Sequence, residues 1–403
     1  MPELKVLFLG SAIRTVDCTR HRGPSVAGNK MQLGFLEALF ELYGQNLHIL
    51  TEYPVAAYPR ERILGMGFDT LKLTSHMESK IVPFINVFLL KQLTLIVFAF
   101  FMVLAWGWKF KREPKIALCY NAYPYVALPL LWASRVFGFK VICILADPPL
   151  EVMSRSLVGR VAQRLEAATT VSSIKKFSAV VVLNDRAAIE YAPGLRSVRI
   201  EGGLDPNDFP LSDSNILGHS TNKALRVIFS GAVIEYNGIR ALLSAAKNVK
   251  NPRFRLDLYG DGPLVPDVKK ACSEDLRICY MGVKPNSEVI TAQQAATLLV
   301  NPRLVDHPVS RVTFPSKILE YMASGTPIIT TKLNGLTEEY LSHMYVFEDD
   351  SVSAITAGLE FVLSLPPDVL AAKATAAREY VLREKTWNVQ VDKLVKLISE
   401  VQD

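Results

Sequence analysis

Residues 313–325 read Thr-Phe-Pro-Ser-Lys-Ile-Leu-Glu-Tyr-Met-Ala-Ser-Gly, and the rest of the chain is read outward from them. A proline in the first helical position loses no hydrogen bond, so Pro315 predicts a helix start, with Thr313 or the backbone before it as cap. Ser316 and Lys317 then fall in the first turn, where unpaired amides and the positive end of the helix dipole attract an anion. Glu320 follows Ser316 by four positions and Lys317 by three, so the three share one face. Such a helix offers amides, a hydroxyl and an ammonium to a diphosphate. One turn deeper it offers a carboxylate to sugar hydroxyls. Gly325 fits a C-cap, Pro327 forbids continuation, and 328–331 reads as a buried strand. The plainer reading of the same spacing is an ordinary amphipathic helix.

Strand-like runs alternate with helical ones on both sides of this stretch, which argues a parallel α/β sheet. Strands are expected at 5–10, 47–52, 115–120, 140–145, 179–183 and 197–201, with helices at 27–43 and 126–137. The pattern restarts with strands at 226–230, 254–259, 277–281, 296–301 and 328–331, a helix at 238–247, and a helical segment at 366–401. Residues 202–223 are rich in Gly, Pro, Asp, Ser and Asn and read as a linker. The expected fold class is α/β, two Rossmann-like doubly wound domains facing a cleft, with ligand at the carboxyl ends of the strands.

At 403 residues the chain has room for two or three domains, and half of its residues are hydrophobic. Its net charge of +6 divides into +7 for residues 1–210 and −1 for 211–403, so the halves suit different partners. No basic-aromatic pattern points to nucleic acid. Anionic lipid or a phosphorylated acceptor fits the basic half better. Cys18, Cys119, Cys143, Cys272 and Cys279 are odd in number and form no Cys-x-x-Cys pair, which suits buried thiols in a reducing compartment. Neither an Asp-x-Asp nor a Cys/His cluster occurs, so no metal is expected.

The Pro-Ser-Lys-x-x-Glu-Tyr-x-x-x-Gly pattern resembles the donor-site signature of retaining nucleotide-sugar glycosyltransferases with the GT-B fold, family four (glycosyl transferases group 1). The resemblance covers most of the chain and is stronger after residue 200. Gly202-Gly203-Leu204-Asp205 with Phe209 is similar to the family's domain junction. Phe229-Ser230-Gly231 followed by Gly238-Ile239 looks like its first C-domain loop and helix, and Tyr259-Gly260-Asp261-Gly262-Pro263 like its Gly-x-Gly-Pro turn. Met281-Gly282 falls where the family contacts the nucleobase, and Trp387 where it has a tryptophan before its last helix. The resemblance implies an acceptor-binding domain at 1–205, a linker at 206–223, a nucleotide-sugar-binding domain at 224–380, and a C-terminal helix, 381–403, packed back on the first domain. It implies donor contacts from Gly231, Met281, Gly282, Arg303, Phe314, Ser316, Lys317 and Glu320.

The sequence departs from the family in three places. The first of the family's two donor-site glutamates, which contacts the donor hexose, falls on Val312; Glu320 matches the second, which holds the ribose. The family's Arg and Lys on the first C-domain loop fall on Ala232 and Asn237. Lys317 and Arg303 are therefore expected to supply the phosphate countercharge, unless Arg303 merely pairs with Asp306. No His stands after the fourth strand, where the run is Cys119-Tyr120-Asn121-Ala122-Tyr123-Pro124. With Lys317 on the leaving group, Asp147 is the remaining catalytic candidate, orienting the acceptor hydroxyl; its alternative is a turn-initiating Asp before Pro. Gly28, Arg22 and Asn121 are the acceptor candidates, Arg22 within a basic cluster that either meets an acceptor phosphate or is a solvated loop.

Residues 92–108 carry no charge, with Lys91 before them and Lys109, Lys111 and Arg112 after. Strands of one sheet are expected on both sides, so spanning is disfavoured. A core helix and a helix at the bilayer interface remain as readings, and 81–108 is the expected membrane-facing segment. The whole predicts metal-independent transfer from a UDP- or GDP-sugar, with no other cofactor, to a lipid-linked saccharide. The expected location is the cytoplasmic side, in peripheral contact with the inner leaflet. A nucleotide-sugar epimerase and a non-catalytic nucleotide-sugar binder are the alternatives.

Overall fold

The computed structural model describes residues 4–149, 157–210 and 224–402. The chain divides into two compact units, Met1–Gly203 with Trp387–Asp403, and Leu204–Thr386.

Unit 1 is built on an eight-stranded sheet in the order Arg196–Arg199, Ala179–Val182, Lys140–Leu145, Lys115–Tyr120, Lys5–Gly10, Leu47–Thr51, Glu78–Ile81, Thr70–Lys72. Only the last strand runs antiparallel to its neighbour. The central strands are near-continuous apolar runs, as strands covered on both faces must be. The short strands Thr70–Lys72 and Glu78–Ile81 alternate too weakly for sequence reading to have placed them. Strand order reverses between Lys5–Gly10 and Lys115–Tyr120, so Ser11 and Asn121 follow adjacent carboxyl ends at a topological switch point.

Unit 2 holds a six-stranded, all-parallel sheet in the order Ile278–Gly282, Phe254–Tyr259, Leu225–Ser230, Leu298–Asn301, Ile328–Thr330, Tyr345–Val346. Here the order reverses between Leu225–Ser230 and Leu298–Asn301. The Gly231 loop and the Pro302-Arg303 turn therefore leave the sheet side by side.

The helical segment expected at 366–401 is two helices, Pro367–Glu384 and Trp387–Gln402. Lys385 caps the first at its C-terminus, and its carbonyl accepts the Leu204 amide at 2.9 Å. The units thus meet in sequence at Gly203/Leu204 and Thr386/Trp387, not at the 205 and 381 boundaries expected. Within unit 1 the final helix packs on the helix Val26–Tyr43. Of the expected linker, 211–223 lie outside the described residues.

The apolar run is the helix Leu90–Lys109. Leu95, Ala99, Val103 and Trp106 form a buried stripe at three- to four-residue spacing, against the helix Pro124–Phe137. Leu93, Val97, Phe101 and Trp108 form a second apolar stripe, 49–66% exposed. Exposed Phe88, Trp132 and Val136 add to the unit's apolar surface. The helix is long and apolar enough to cross a membrane. Yet Glu78–Ile81 before it and Lys115–Tyr120 after it belong to one sheet, so it serves as a layer of the fold with one face left bare.

Candidate active site

In unit 2 the motif helix runs Lys317–Ser324, with Ser316 at its N-cap and Gly325 at its C-cap (φ 74°). It begins two residues later than Pro315 predicts. Thr313 does not cap it: its hydroxyl donates to the Val309 carbonyl at 2.6 Å and accepts from Arg303 at 2.7 Å. Ile318 and Leu319 turn their amides onto the Pro315 and Ser316 carbonyls at 2.8 and 3.2 Å. The amides left for an anion are those of Ser316 and Lys317. The buried Tyr321 bolts this helix to the neighbouring loop, its hydroxyl accepting the Ser230 amide at 2.8 Å. Burial pushes that phenol up to about 12, with the Ser230 hydrogen bonds opposing.

The Gly231 loop lies against the helix start. Gly231 has φ 154°, and a Cβ placed on it would lie 3.6 Å from Lys317 Cε, so the ammonium stem runs past the open glycine. Lys317 Nζ stands 3.8 Å from Glu320 Oε2, an i,i+3 pair that keeps ammonium and carboxylate on one face. Asn237 donates to the Ala232 carbonyl at 2.7 Å. The loop positions without the family's cations therefore tie back on each other.

Arg303 is 6% exposed. Its Nε donates to Ser310 at 3.0 Å, Nη2 to Thr313 at 2.7 Å, and the guanidinium lies 5.0 Å from the Tyr236 ring. The pairing with Asp306 does not occur; Arg311 reaches Asp306, at 3.5 Å. Burial lowers Arg303 to about 10. It is a buried cation with no carboxylate partner among the described residues. Val312, also buried, offers no polar group. The Phe314 ring is buried 5.3 Å from that of Tyr340, which leaves its backbone for any donor contact. Met281 and Gly282 end the edge strand, where the Gly282 carbonyl already accepts the Gly260 amide at 2.9 Å.

In unit 1 the switch point opens into a cavity of about 260 Å³, lined in part by Ser11, Gly28, Glu52, Tyr120, Asn121 and Asp147. Asn121 adopts a left-handed conformation (φ 58°). Its Oδ1 accepts the Ala146 and Asp147 amides at 2.9 and 2.8 Å, and its Nδ2 donates to Asp147 Oδ2 at 3.1 Å. Asn121 therefore positions Asp147 while itself lining the cavity. Asp147 keeps its surface open to the cavity, while the protein crowded around it pushes its carboxyl up and the Asn121 hydrogen bond opposes. Gly28 lines the cavity, its amide on the Ser25 hydroxyl at 3.1 Å. Arg22 does not join the lining: its side chain is exposed, its amide donates to Glu61 and its carbonyl accepts from Ala56.

Sequence reading missed four groups here. Lys91, in the first turn of the apolar helix, reaches the cavity, 3.2 Å from Glu52 Oε1 and 2.8 Å from the Val55 carbonyl. Burial pushes Glu52 up while Lys91 opposes. The rings of Tyr123 and Tyr125 stack at 5.6 Å and 8°. Lys91 was legible only as the charge before an apolar run, and the tyrosine spacing of two carries no local signal. Among the described residues no group of three or more His, Cys, Asp or Glu is placed to hold a metal ion.

Residues 224–364 match the family described as glycosyl transferases group 1. The chain is 24% identical over 189 residues to the amylovoran biosynthesis glycosyltransferase AmsK of Erwinia amylovora, a match covering 44% of this chain and 46% of that one. The match thus spans less than half of that relative's length. Among solved structures, HepE of Anabaena in complex with UDP superposes with a TM-score of 0.66 at 14% identity, over 98% of this chain and 100% of that one. Sucrose-phosphate synthase of Thermosynechococcus elongatus does so with a TM-score of 0.68 at 15% identity, over 98% and 99%. The protein has the GT-B fold. More particularly, the match to glycosyl transferases group 1 falls wholly within its second unit.

Proposed function

We propose that this chain is a retaining glycosyltransferase. It moves a sugar from a UDP- or GDP-sugar held by unit 2 to a lipid-linked saccharide held by unit 1, at the cytoplasmic face of a membrane. The observation that carries the reading is the cationic seat at the unit 2 switch point. Gly231 opens the backbone, Lys317 passes it, the helix leaves the Ser316 and Lys317 amides unbonded, and Arg303 is buried without a carboxylate among the described residues. An anion losing its hydration needs such compensation. The HepE structure, which holds UDP, supports a nucleoside diphosphate as the group that sits there.

Transfer in this reading is electrostatic and positional, and side-chain cations take the part of a metal. Lys317 and Arg303 stabilise the charge growing on the leaving diphosphate, which takes the acceptor hydroxyl's proton. Glu320 holds the ribose, and Asp147, set by Asn121, orients the acceptor hydroxyl. The bare stripe of Leu90–Lys109, with Lys111 over the Trp108 ring and Lys109 over that of Phe110, supports attachment at an anionic bilayer surface. The test incubates full-length protein with a panel of nucleotide sugars, with and without native lipid extract. Slow sugar release without acceptor and faster transfer with lipid is the expected result. Tight nucleotide-sugar binding with no turnover in either condition makes the chain a binder and sinks the enzyme reading.

A further inference from the structure

The unit 1 cavity shows in its lining the chemistry of what fills it. Its charges are acidic on balance. Glu52 and Asp147 face a single ammonium, Lys91, and that ammonium is already held by Glu52 and the Val55 carbonyl. The stacked rings of Tyr123 and Tyr125 contribute a flat aromatic element to the same lining. Tyr120, 4% exposed, has a hydroxyl with no hydrogen-bond partner among the described residues, and it lines the cavity as well. A Cβ on Gly28 would lie 3.6 Å from that hydroxyl, so the glycine keeps the space beside it clear. A buried hydroxyl without a partner is a vacancy for a hydrogen-bonding ligand.

These features select against an anion. A phosphate or carboxylate entering the recess meets Glu52 and Asp147, while the one cation of the lining is already held by Glu52, and like charges at short range repel. A pyranose suits it: hydroxyls donate to carboxylates in charge-assisted hydrogen bonds, and a C–H face lies on an aromatic ring. We propose that this cavity binds an uncharged pyranose of the acceptor glycan, a neutral hexose or N-acetylhexosamine, and rejects a phosphorylated or uronic acid ring. The contacts are Asp147, Glu52 and the Tyr120 hydroxyl, with Tyr123 and Tyr125 as the stacking surface. This rests on the glycosyltransferase reading above and names the substrate class of its acceptor site.

The test titrates the full-length protein, with UDP present, against methyl glucoside, N-acetylglucosamine, glucose 1-phosphate and glucuronic acid up to tens of millimolar, followed by saturation-transfer NMR. Transfer to the two neutral sugars and none to the two anionic ones is expected. Tyr123→Ala and Tyr120→Phe should each weaken the neutral-sugar signal at least tenfold while UDP binding is unchanged. If Tyr123→Ala does not fold, Tyr123→Phe, which keeps the stacking surface, should retain binding. UDP binding with anionic sugars preferred, with no neutral-sugar signal, or with both variants behaving as wild type overturns the cavity assignment alone. Absence of binding to both UDP and GDP instead overturns the glycosyltransferase reading.

Discussion

Gly34 and Trp387, 353 positions apart in sequence, share one volume: a Cβ on Gly34 would lie 1.9 Å from Trp387 Cε2. The indole also lies 5.1 Å from the Phe35 ring and occupies the space a Cβ on Gly203 would take. The last helix joins unit 1 through this seat. Gly34→Leu should therefore lower stability by about 1–3 kcal/mol, the usual cost of overpacking a filled core. Urea unfolding measures it, and faster proteolytic trimming of Trp387–Gln402 should accompany it. An unchanged midpoint would show that the indole has another place to go.

Lys317→Ala and Glu320→Ala should each cut turnover at least tenfold, equivalent to about 1.4 kcal/mol of transition-state stabilisation or more. Both side chains are partly exposed, so thermal midpoints should hold. Steady-state rates with the preferred nucleotide sugar check this, and wild-type rates in both variants would remove the donor-site assignment.

The two stripes of Leu90–Lys109 should respond oppositely to charge. Phe101→Glu and Leu93→Glu, on the bare face, should move the protein from membrane to soluble fractions without unfolding it. Leu95→Glu, on the buried stripe, should unfold it, because an unpaired carboxylate would enter the core. Sedimentation with anionic vesicles and circular dichroism separate the two effects. Equal vesicle binding by the bare-face variants would end the membrane reading.

His48 makes stability depend on acidity. Burial first, then Lys109, Lys5 and Lys80, lowers its pKa from 6.5 to about 4, and its ring packs 4.8 Å from Phe110. The unfolded chain takes up a proton at this site at a pH where the folded chain does not. The stabilisation from neutral His48 is full above about 6.5 and is lost as pH falls toward about 4. After allowance for partial solvation the effect is about 1–2 kcal/mol. The thermal midpoint of His48→Phe should fall less between pH 7 and pH 5 than that of wild type, and parallel curves would show that the ring escapes to solvent on protonation.

Much of the fold was legible in residue order. Strands 5–10, 115–120, 140–145 and 254–259 lie where alternation and apolar runs put them, because a buried parallel strand must be apolar along its length. The helix after Ser316 and its stop at Gly325 were equally local, since caps are decided within a few residues. The same local signals failed wherever a side chain's partner lies far along the chain. Arg303 faces Ser310, Thr313 and Tyr236 instead of Asp306, Phe314 packs on Tyr340, and Tyr321 holds Ser230, none of which spacing reveals.

Sequence alone settled the two doubly wound sheets and the helix between Ser316 and Gly325, because periodicity, capping and glycine geometry act over one or two turns of chain. Tertiary structure alone decided which face of Leu90–Lys109 is bare and that Ser11, Glu52, Lys91, Tyr120 and Asp147 line one cavity. The physical reason is strand order. A crossover in a parallel sheet brings distant carboxyl ends side by side, and no local preference encodes which ends those are.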